Sequence, residues 1–241
     1  MERKFEAKLS SHPNAERLRA MLERPIPLTD SRERNRALVD RSRALTTAVY
    51  LDSGFIDAEH LDRDGLYVDK YSSRATYFFA ETPSMHATTR MIHSKHESAI
   101  DSLPTGEHFE IDYEKLAGVA RVGDANELDG NIVEISSLAA LPKKYRETDT
   151  DNGVEITKVL YAQMLRESLD QNHRVWLLNT HQSLLRHLST LLGRDQVHVI
   201  GTPREYLGSI TIPAAINPSL VVESVMKDNS LIGEMKREYL V

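Results

Sequence analysis

The second half of the sequence alternates β-prone and helix-prone segments in an order that few folds accept. Apolar runs predict strands, and apolar stripes at helical spacing, opened by a capping pattern or closed by a glycine, predict helices. The predicted elements are a strand at 132–138, a helix at 152–171, a strand at 175–179, a helix at 183–192 and a strand at 197–200. Strands and helices that alternate in this way predict an α/β fold.

The first half and the C-terminal end predict fewer elements. A cap at Thr29-Asp30-Ser31 precedes an amphipathic stripe, and an aromatic, β-prone run is followed by a turn at Pro83-Ser84 and a pairing partner. The predicted elements are a helix at 31–51, an acidic surface loop at 57–71, a hairpin at 76–80 and 87–92, a short helix or loop ending near Asp112, a last strand at 209–212 before Pro213, and a helix at 219–226. The hairpin adds antiparallel strands to the sheet.

Length and composition favour one domain with its own core. The chain has 241 residues, of which 40% are hydrophobic and 27% charged, as in an ordinary globular protein. The first residues predict a weak helical arm that ends at Pro25-Ile26-Pro27, because prolines lack backbone donors and disfavour helix before them. We therefore divide the chain into an N-terminal arm at 1–29 and a domain at 30–241, although length alone leaves two unequal lobes open.

Charge and residue types exclude several classes of function. Cysteine is absent, so disulfides, thiolate nucleophiles and thiolate zinc sites are excluded, and a reducing compartment is expected. The first twenty residues contain no apolar stretch long enough for a signal peptide or a membrane span, which predicts a cytoplasmic location. A net charge of −6 disfavours nucleic acid as a partner.

Short motifs in a fixed order give the sequence a resemblance to a known family. They are Val49-Tyr50-x-x-Ser53-Gly54-Phe55, Asp69-Lys70-Tyr71, Thr88-Thr89-Arg90-Met91-Ile92 and Val133-Glu134-Ile135-Ser136-Ser137-Leu138-Ala139. Together they resemble the bacterial N-acyl amino acid synthases, which stand with the acyl-homoserine-lactone synthases in one branch of the Gcn5-related N-acetyltransferase fold. The resemblance covers roughly residues 30–220 and implies a mixed, mostly antiparallel sheet flanked by helices.

The resemblance implies transfer of a fatty acyl group from an acyl carrier protein thioester to the amine of a small molecule such as an amino acid. It implies catalytic roles for Glu134, Asp69 and Arg90. A carboxylate in an apolar strand needs a partner, so Glu134 could orient the amine or accept its proton, or could pair internally with Arg90. Arg90 could instead bind a substrate carboxylate in bidentate fashion. Asp69 could also be an ordinary solvated loop acid.

In this fold the central strand parts from its neighbour, and its main-chain N–H groups point at the thioester carbonyl. The resemblance implies that residues 136–140 supply these groups, with substrate contacts at Ser136, Ser137, Leu138 and Ala139. Trp176 could line the acyl channel or simply belong to the core, as apolar residues on central strands usually do. Many family members have an Arg where this sequence has Ser137. Either Arg90 supplies the missing positive charge, or the amine substrate differs.

The expected acyl donor is a carrier protein rather than coenzyme A. Coenzyme A-dependent members of the wider fold bind the pyrophosphate at a glycine-rich turn before the helix that follows the central strand. Asp149 and Asp151 occupy that place here, and their charge would repel a pyrophosphate. The basic turn upstream suits a phosphopantetheine phosphate or an acidic carrier surface, and could equally be solvated; it contains Lys143, Lys144 and Arg146. No tightly bound cofactor is expected, and acyl-phosphopantetheine or acyl-CoA is the co-substrate.

Two other functions fit the same sequence. An acyl-homoserine-lactone synthase would use this scaffold with S-adenosylmethionine as acceptor, but the Arg-x-x-x-Phe and Trp residues typical of its lid are not evident. A non-catalytic acyl- or lipid-binding module would keep the fold and lack the chemistry. No metal is expected, because His93-Ser94-Lys95-His96-Glu97 has neither the spacing of a zinc motif nor a third ligand that we can place.

Overall fold

The computed structural model describes residues 31–82, 85–95, 99–140 and 156–227. The predicted arm at 1–29 and the basic turn with Lys143, Lys144 and Arg146 lie outside these ranges. The chain divides into two compact units. The first takes its described residues from Met1–Ser73, Tyr77–Arg90 and Ser137–Leu160, and the second from Arg74–Thr76, Met91–Ser136 and Tyr161–Val241.

Helices and strands alternate over most of the described chain. The helices are α1 at Ser31–Ser53, α2 at Pro104–His108, α3 at Tyr113–Ala120, α4 at Ile156–Asp170, α5 at Gln182–Leu192 and α6 at Pro218–Lys227. The strands are β1 at Ala75–Thr82, β2 at Met85–His93, β3 at Ile132–Ala140, β4 at Val175–Thr180, β5 at His198–Val199, β6 at Arg204–Tyr206 and β7 at Ser209–Ile216. Most of these elements confirm the sequence prediction within a few residues.

The described strands form one sheet in the order β1-β2-β3-β4-β7-β5, with β6 paired to β7. Strands β3 and β4 are parallel, whereas β4, β5 and β6 each run antiparallel to β7. This is the mixed, mostly antiparallel sheet with helices that the sequence predicted. Within the same ranges, no helix combines the length and hydrophobicity that are needed to cross a bilayer.

The first unit contains α1 and the loop that follows it. The middle of α1 is buried on its polar as well as its apolar side, with Ala44, Leu45 and Ala48 in the core and Ser42 and Thr47 also buried. Gly54 ends the helix at a φ of 75°, which favours glycine. The acidic loop is better anchored than we predicted. The carboxylate of Asp62 accepts the backbone N–H groups of Asp64 and Leu66 at 2.9 and 3.0 Å, and the Leu66 side chain is buried. Asx-type bonds of this kind hold a loop without regular structure.

Three details of the second unit correct the sequence prediction. Helix α3 and strand β6 were not predicted, although Asp112 is a good N-cap for α3 and accepts the Lys115 N–H at 2.9 Å. The last strand was predicted to end before Pro213, but β7 continues through it to Ile216. Proline lacks an N–H, yet its carbonyl still accepts the Ile200 N–H at 3.0 Å, so the pairing with β5 continues.

His173 follows α4 in the second unit, and its burial favours the neutral form of the imidazole ring. Its backbone N–H donates to Ser168 at 2.8 Å, and its ring lies 5.7 Å from that of His93 between centroids. Nδ1 of His173 is buried without a hydrogen-bond partner. Burial, followed by the proximity of His93, lowers the pKa of His173 from 6.5 to about 4.

We expect this histidine to make the protein acid-sensitive. Between pH 6.5 and 4 the unfolded chain binds a proton at His173 that the folded chain does not, so stability falls as pH falls through this window. The arithmetic gives a loss of about 2 kcal/mol between pH 7 and 5. Denaturant unfolding at both pH values should show this loss in wild type and in His187→Leu, an exposed control, but not in His173→Leu. Equal losses in all three proteins would contradict the assignment.

Candidate active site

Asp69 and Arg90 form an ion pair in the first unit, in which Arg90 is buried and Asp69 is half-buried. Arg90 on β2 is 4% exposed, and its two terminal nitrogens donate to the two carboxylate oxygens of Asp69, with an Nη1–Oδ1 distance of 2.9 Å. The hydroxyl of Ser72 donates to the same Oδ1 at 3.0 Å. Burial raises the pKa of Asp69, but the hydrogen bonds and the charge of Arg90 outweigh it and hold this pKa below its usual value. Asp69 is therefore an ordered, ionised acid rather than a solvated one.

The pair also defines what Arg90 can do. Both of its terminal nitrogens are taken by Asp69, and its Nε is buried without a hydrogen-bond partner. Asp69 therefore occupies the end of the guanidinium, and bidentate capture of a substrate carboxylate with the Asp69 pair intact would have to use the side that carries Nε. In the pair as it stands, Arg90 fixes the position of the Asp69 carboxylate and keeps it ionised.

Tyr50 and Ser137 extend this cluster within the first unit. The Ser137 side chain and the charges of Arg90 and Asp69 all act on the pKa of Tyr50. Burial raises the pKa of Tyr50, which is therefore a neutral hydroxyl at physiological pH. Ser137 has a φ of 57°, in the left-handed region that non-glycine residues rarely adopt. The motif at 49–55 thus contributes a side chain to the cluster, a role that the sequence did not reveal.

Glu134 lies in the second unit and is 2% exposed. Its Oε2 accepts the backbone N–H of Thr105 at 2.8 Å, and its Oε1 accepts the side-chain Nδ2 of Asn179 at 3.0 Å. The hydroxyl of Thr105 in turn donates to Oδ1 of Asn179 at 3.1 Å. Glu134 and Asp69 therefore each have their own set of partners, and Arg90 pairs with Asp69.

Strand β3 continues beyond its parallel pairing with β4. The register begins at Ile132↔Val175 and ends at Ile135↔Leu178, whereas the described part of β3 reaches Ala140. Ser136, Ser137 and Leu138 are half-buried in this extension, and Ala139 is buried. Because Ser137 takes a left-handed conformation, the backbone turns locally just after the register ends.

The other predicted site residues are less informative. Trp176 on β4 is 1% exposed, and its Nε1 donates to the Ser168 hydroxyl at 2.6 Å, as a satisfied core tryptophan does. The three basic residues at 143, 144 and 146 lie outside the described residues. Among the residues that the structure describes, no group of three His, Asp or Glu side chains is arranged to hold a metal ion.

Thr105 and Asn179 are site residues that the sequence did not reveal. Asn179 had one weak signal, since it is the polar residue that closes an otherwise apolar strand. Thr105 had none, because its contact with Glu134 joins residues 29 positions apart through a backbone N–H. Only the tertiary structure brings these groups together.

The solved structures include several with a similar fold. The CoA-dependent acyl-homoserine lactone synthase MesI has a TM-score of 0.52 and 13% identity, over 87% of this chain and 91% of that one. The chain therefore has the fold of the acyl-homoserine lactone synthases. The resemblance seen in the sequence is confirmed at this level.

Two further structures are similar to a lower degree. BjaI, a CoA-dependent acyl-homoserine lactone synthase, has 15% identity and a TM-score of 0.48, over 80% of this chain and 88% of that chain. FeeM, an N-acyl amino acid synthase from uncultured soil microbes, has 16% identity and a TM-score of 0.45, over 81% of this chain and 92% of that chain. No protein-family model and no curated protein sequence matches this chain.

Proposed function

We propose that this protein is an acyltransferase that moves an acyl group from a thioester to the amine of a small molecule, such as an amino acid. Aminolysis needs a group that orients or deprotonates the amine and donors for the oxygen that becomes negative. The observation that supports the proposal is that β3 bears the buried carboxylate of Glu134 and continues, beyond its register with β4, into the segment that the family resemblance assigns to thioester binding.

Each side chain has a defined part in this proposal. Glu134 orients the ammonium group and accepts its proton, directly or through water, so that the neutral amine attacks the thioester carbon. Main-chain N–H groups of residues 136–140 stabilise the oxyanion. A C–N bond forms and the C–S bond breaks. The nitrogen loses two protons in all: Glu134 passes the first to solvent, then takes the second from the tetrahedral adduct and gives it to the leaving thiolate. Asp69 and Arg90 keep the catalytic roles that the family resemblance implies for them, as an ion pair within the first unit.

The proposal also concerns the carrier of the acyl group, which is either an acyl carrier protein or coenzyme A. The sequence before α4 favours an acyl carrier protein, because Asp149 and Asp151 would repel a pyrophosphate and the basic turn would suit a phosphopantetheine phosphate. The similarity of the fold to that of MesI, a CoA-dependent synthase, makes acyl-CoA the alternative donor. An acceptor other than an amino acid, such as S-adenosylmethionine, would make the enzyme an acyl-homoserine-lactone synthase.

The proposal is tested by offering the purified protein one fatty acyl group on either donor, carrier protein or coenzyme A. The acceptors are a pool of amino acids and, separately, S-adenosylmethionine. We expect mass spectrometry to find an N-acyl product together with an equal amount of free thiol. The faster donor identifies the carrier. If the protein bound the acyl donor but released no thiol with any acceptor, a non-catalytic acyl-binding module would replace the enzyme.

A further inference from the structure

The backbone N–H of Thr105 and the side chain of Asn179 hold the carboxylate of Glu134, and the proposed reaction assigns them no role. We propose that Asn179 is a positioning residue that, together with Thr105, fixes the carboxylate of Glu134 in its charged form toward the acceptor amine. The inference rests on the proposed function and deepens it, because it assigns the acceptor's protonation state. Asn179 stands at the end of β4, one residue beyond the last pair with β3.

The orientation of the Asn179 amide is set by its two contacts. Thr105 donates its hydroxyl to Oδ1 at 3.1 Å, so the opposite end, Nδ2, must face Oε1 of Glu134, where it lies at 3.0 Å. With the amide turned the other way, the hydroxyl would still find a partner by rotating, but two oxygens without a proton would face each other. For an ionised Glu134, the arrangement in the structure therefore satisfies every group and presents a donor to the carboxylate.

Both described donors to Glu134 favour its anion. The backbone N–H of Thr105 reaches Oε2 at 2.8 Å and the Asn179 amide reaches Oε1 at 3.0 Å, so both oxygens accept hydrogen bonds. Hydrogen bonds of this type stabilise the ionised form of a carboxylate. Under the proposed function, an ionised Glu134 binds the acceptor as a protonated amine and takes its proton, and an alcohol of the same shape is a poor acceptor.

Two substitutions remove the donor in different ways. Asn179→Leu deletes the hydrogen bond, and Asn179→Asp replaces it with a second negative charge beside Glu134. We expect the acid limb of the kcat/KM profile to move to higher pH, by roughly one unit for Asn179→Leu and further for Asn179→Asp. Asn217→Asp is the matched control, because Asn217 is a buried asparagine of the same unit that bonds to the Val119 carbonyl and caps α6. Its acid limb should stay in place.

A second measurement keeps the inference testable without turnover. The amide proton of Thr105 donates to Glu134, so its NMR chemical shift follows the charge of that carboxylate as the pH changes. The midpoint of this titration should rise in both Asn179 variants and stay unchanged in Asn217→Asp. If wild type turned over but neither the acid limb nor the midpoint moved, the inference would fail and the proposed function would stand. If wild type showed no turnover, the proposed function would fail, and the midpoint alone would decide the role of Asn179.

Discussion

We expect Glu134→Gln to lower kcat by about 100-fold or more, the usual contribution of a general base. The substitution keeps the size of the side chain and removes the charge that accepts the proton of the amine. The effect should appear in kcat and in kcat/KM, with either acyl donor. Glu205→Gln, an exposed carboxylate of the same unit, should keep wild-type rates.

The same change has a predictable effect on stability, because Thr105 and Asn179 each donate a hydrogen bond to Glu134. In Glu134→Gln the side-chain oxygen can still accept the Thr105 N–H, and the NH₂ is satisfied once the Asn179 amide turns over to present its Oδ1. We expect a loss of about 1 kcal/mol in the free energy of unfolding, because charge-assisted hydrogen bonds are replaced by neutral ones. Rates should therefore be compared at temperatures where denaturant unfolding shows both proteins to be folded. Full turnover by Glu134→Gln would remove Glu134 from the mechanism.

The largest effect on stability is expected from breaking the pair of Asp69 and Arg90. Asp69→Asn leaves the buried guanidinium of Arg90 without an opposite charge, and Arg90→Met leaves the half-buried carboxylate of Asp69 without one, so we expect the smaller loss from Arg90→Met. Removal of one partner of a buried pair typically destabilises by about 3–5 kcal/mol. The double variant Asp69→Asn/Arg90→Met should lose less than the sum of the two single losses, because it leaves no unpaired charge.

Denaturant unfolding of wild type, both single variants and the double variant measures this coupling. Glu223→Gln is the surface control, since its pair with Lys227 is exposed and spans 3.6 Å, and it should change stability little. The pH dependence is a further check. The pKa of Asp69 is lowered by folding, so its contribution is complete above the usual pKa and is lost as pH falls below about 4. Strictly additive losses in the cycle would contradict the pairing.

Most of the fold could be predicted because its elements carry local signals. The apolar run of β3, the stripe of α1 and the glycine at 193 each act within a few residues, and the structure agrees with them. The wrong predictions concern elements that are too short to show a clear hydrophobic period, and a strand that contains a proline. Helix α3 is short and β6 has three residues, so their periodicity is brief, and β7 passes through Pro213 because only its carbonyl is needed there.

The candidate site was predicted less completely. Asp69 and Arg90 were each identified, but their pairing was not, because 21 positions separate them and Glu134 was an equally reasonable partner for Arg90. Tyr50, Thr105 and Asn179 were not identified, since their interactions with Ser137 and Glu134 depend on tertiary contacts and leave no spacing in the sequence. The motifs therefore identified the charged residues of the candidate site, whereas the residues that orient them could be identified only from the three-dimensional structure.

The account is tested most directly by a crystal structure with a non-reactive acyl-pantetheine thioester analogue. We expect its carbonyl oxygen within about 3 Å of a main-chain N–H of β3 between residues 136 and 140, the range of a hydrogen bond. Glu134 should keep its bonds to Thr105 and Asn179 in that complex. A carbonyl bound away from β3, or a β3–β4 register that continued past Leu178 in the complex, would contradict acyl transfer at this strand.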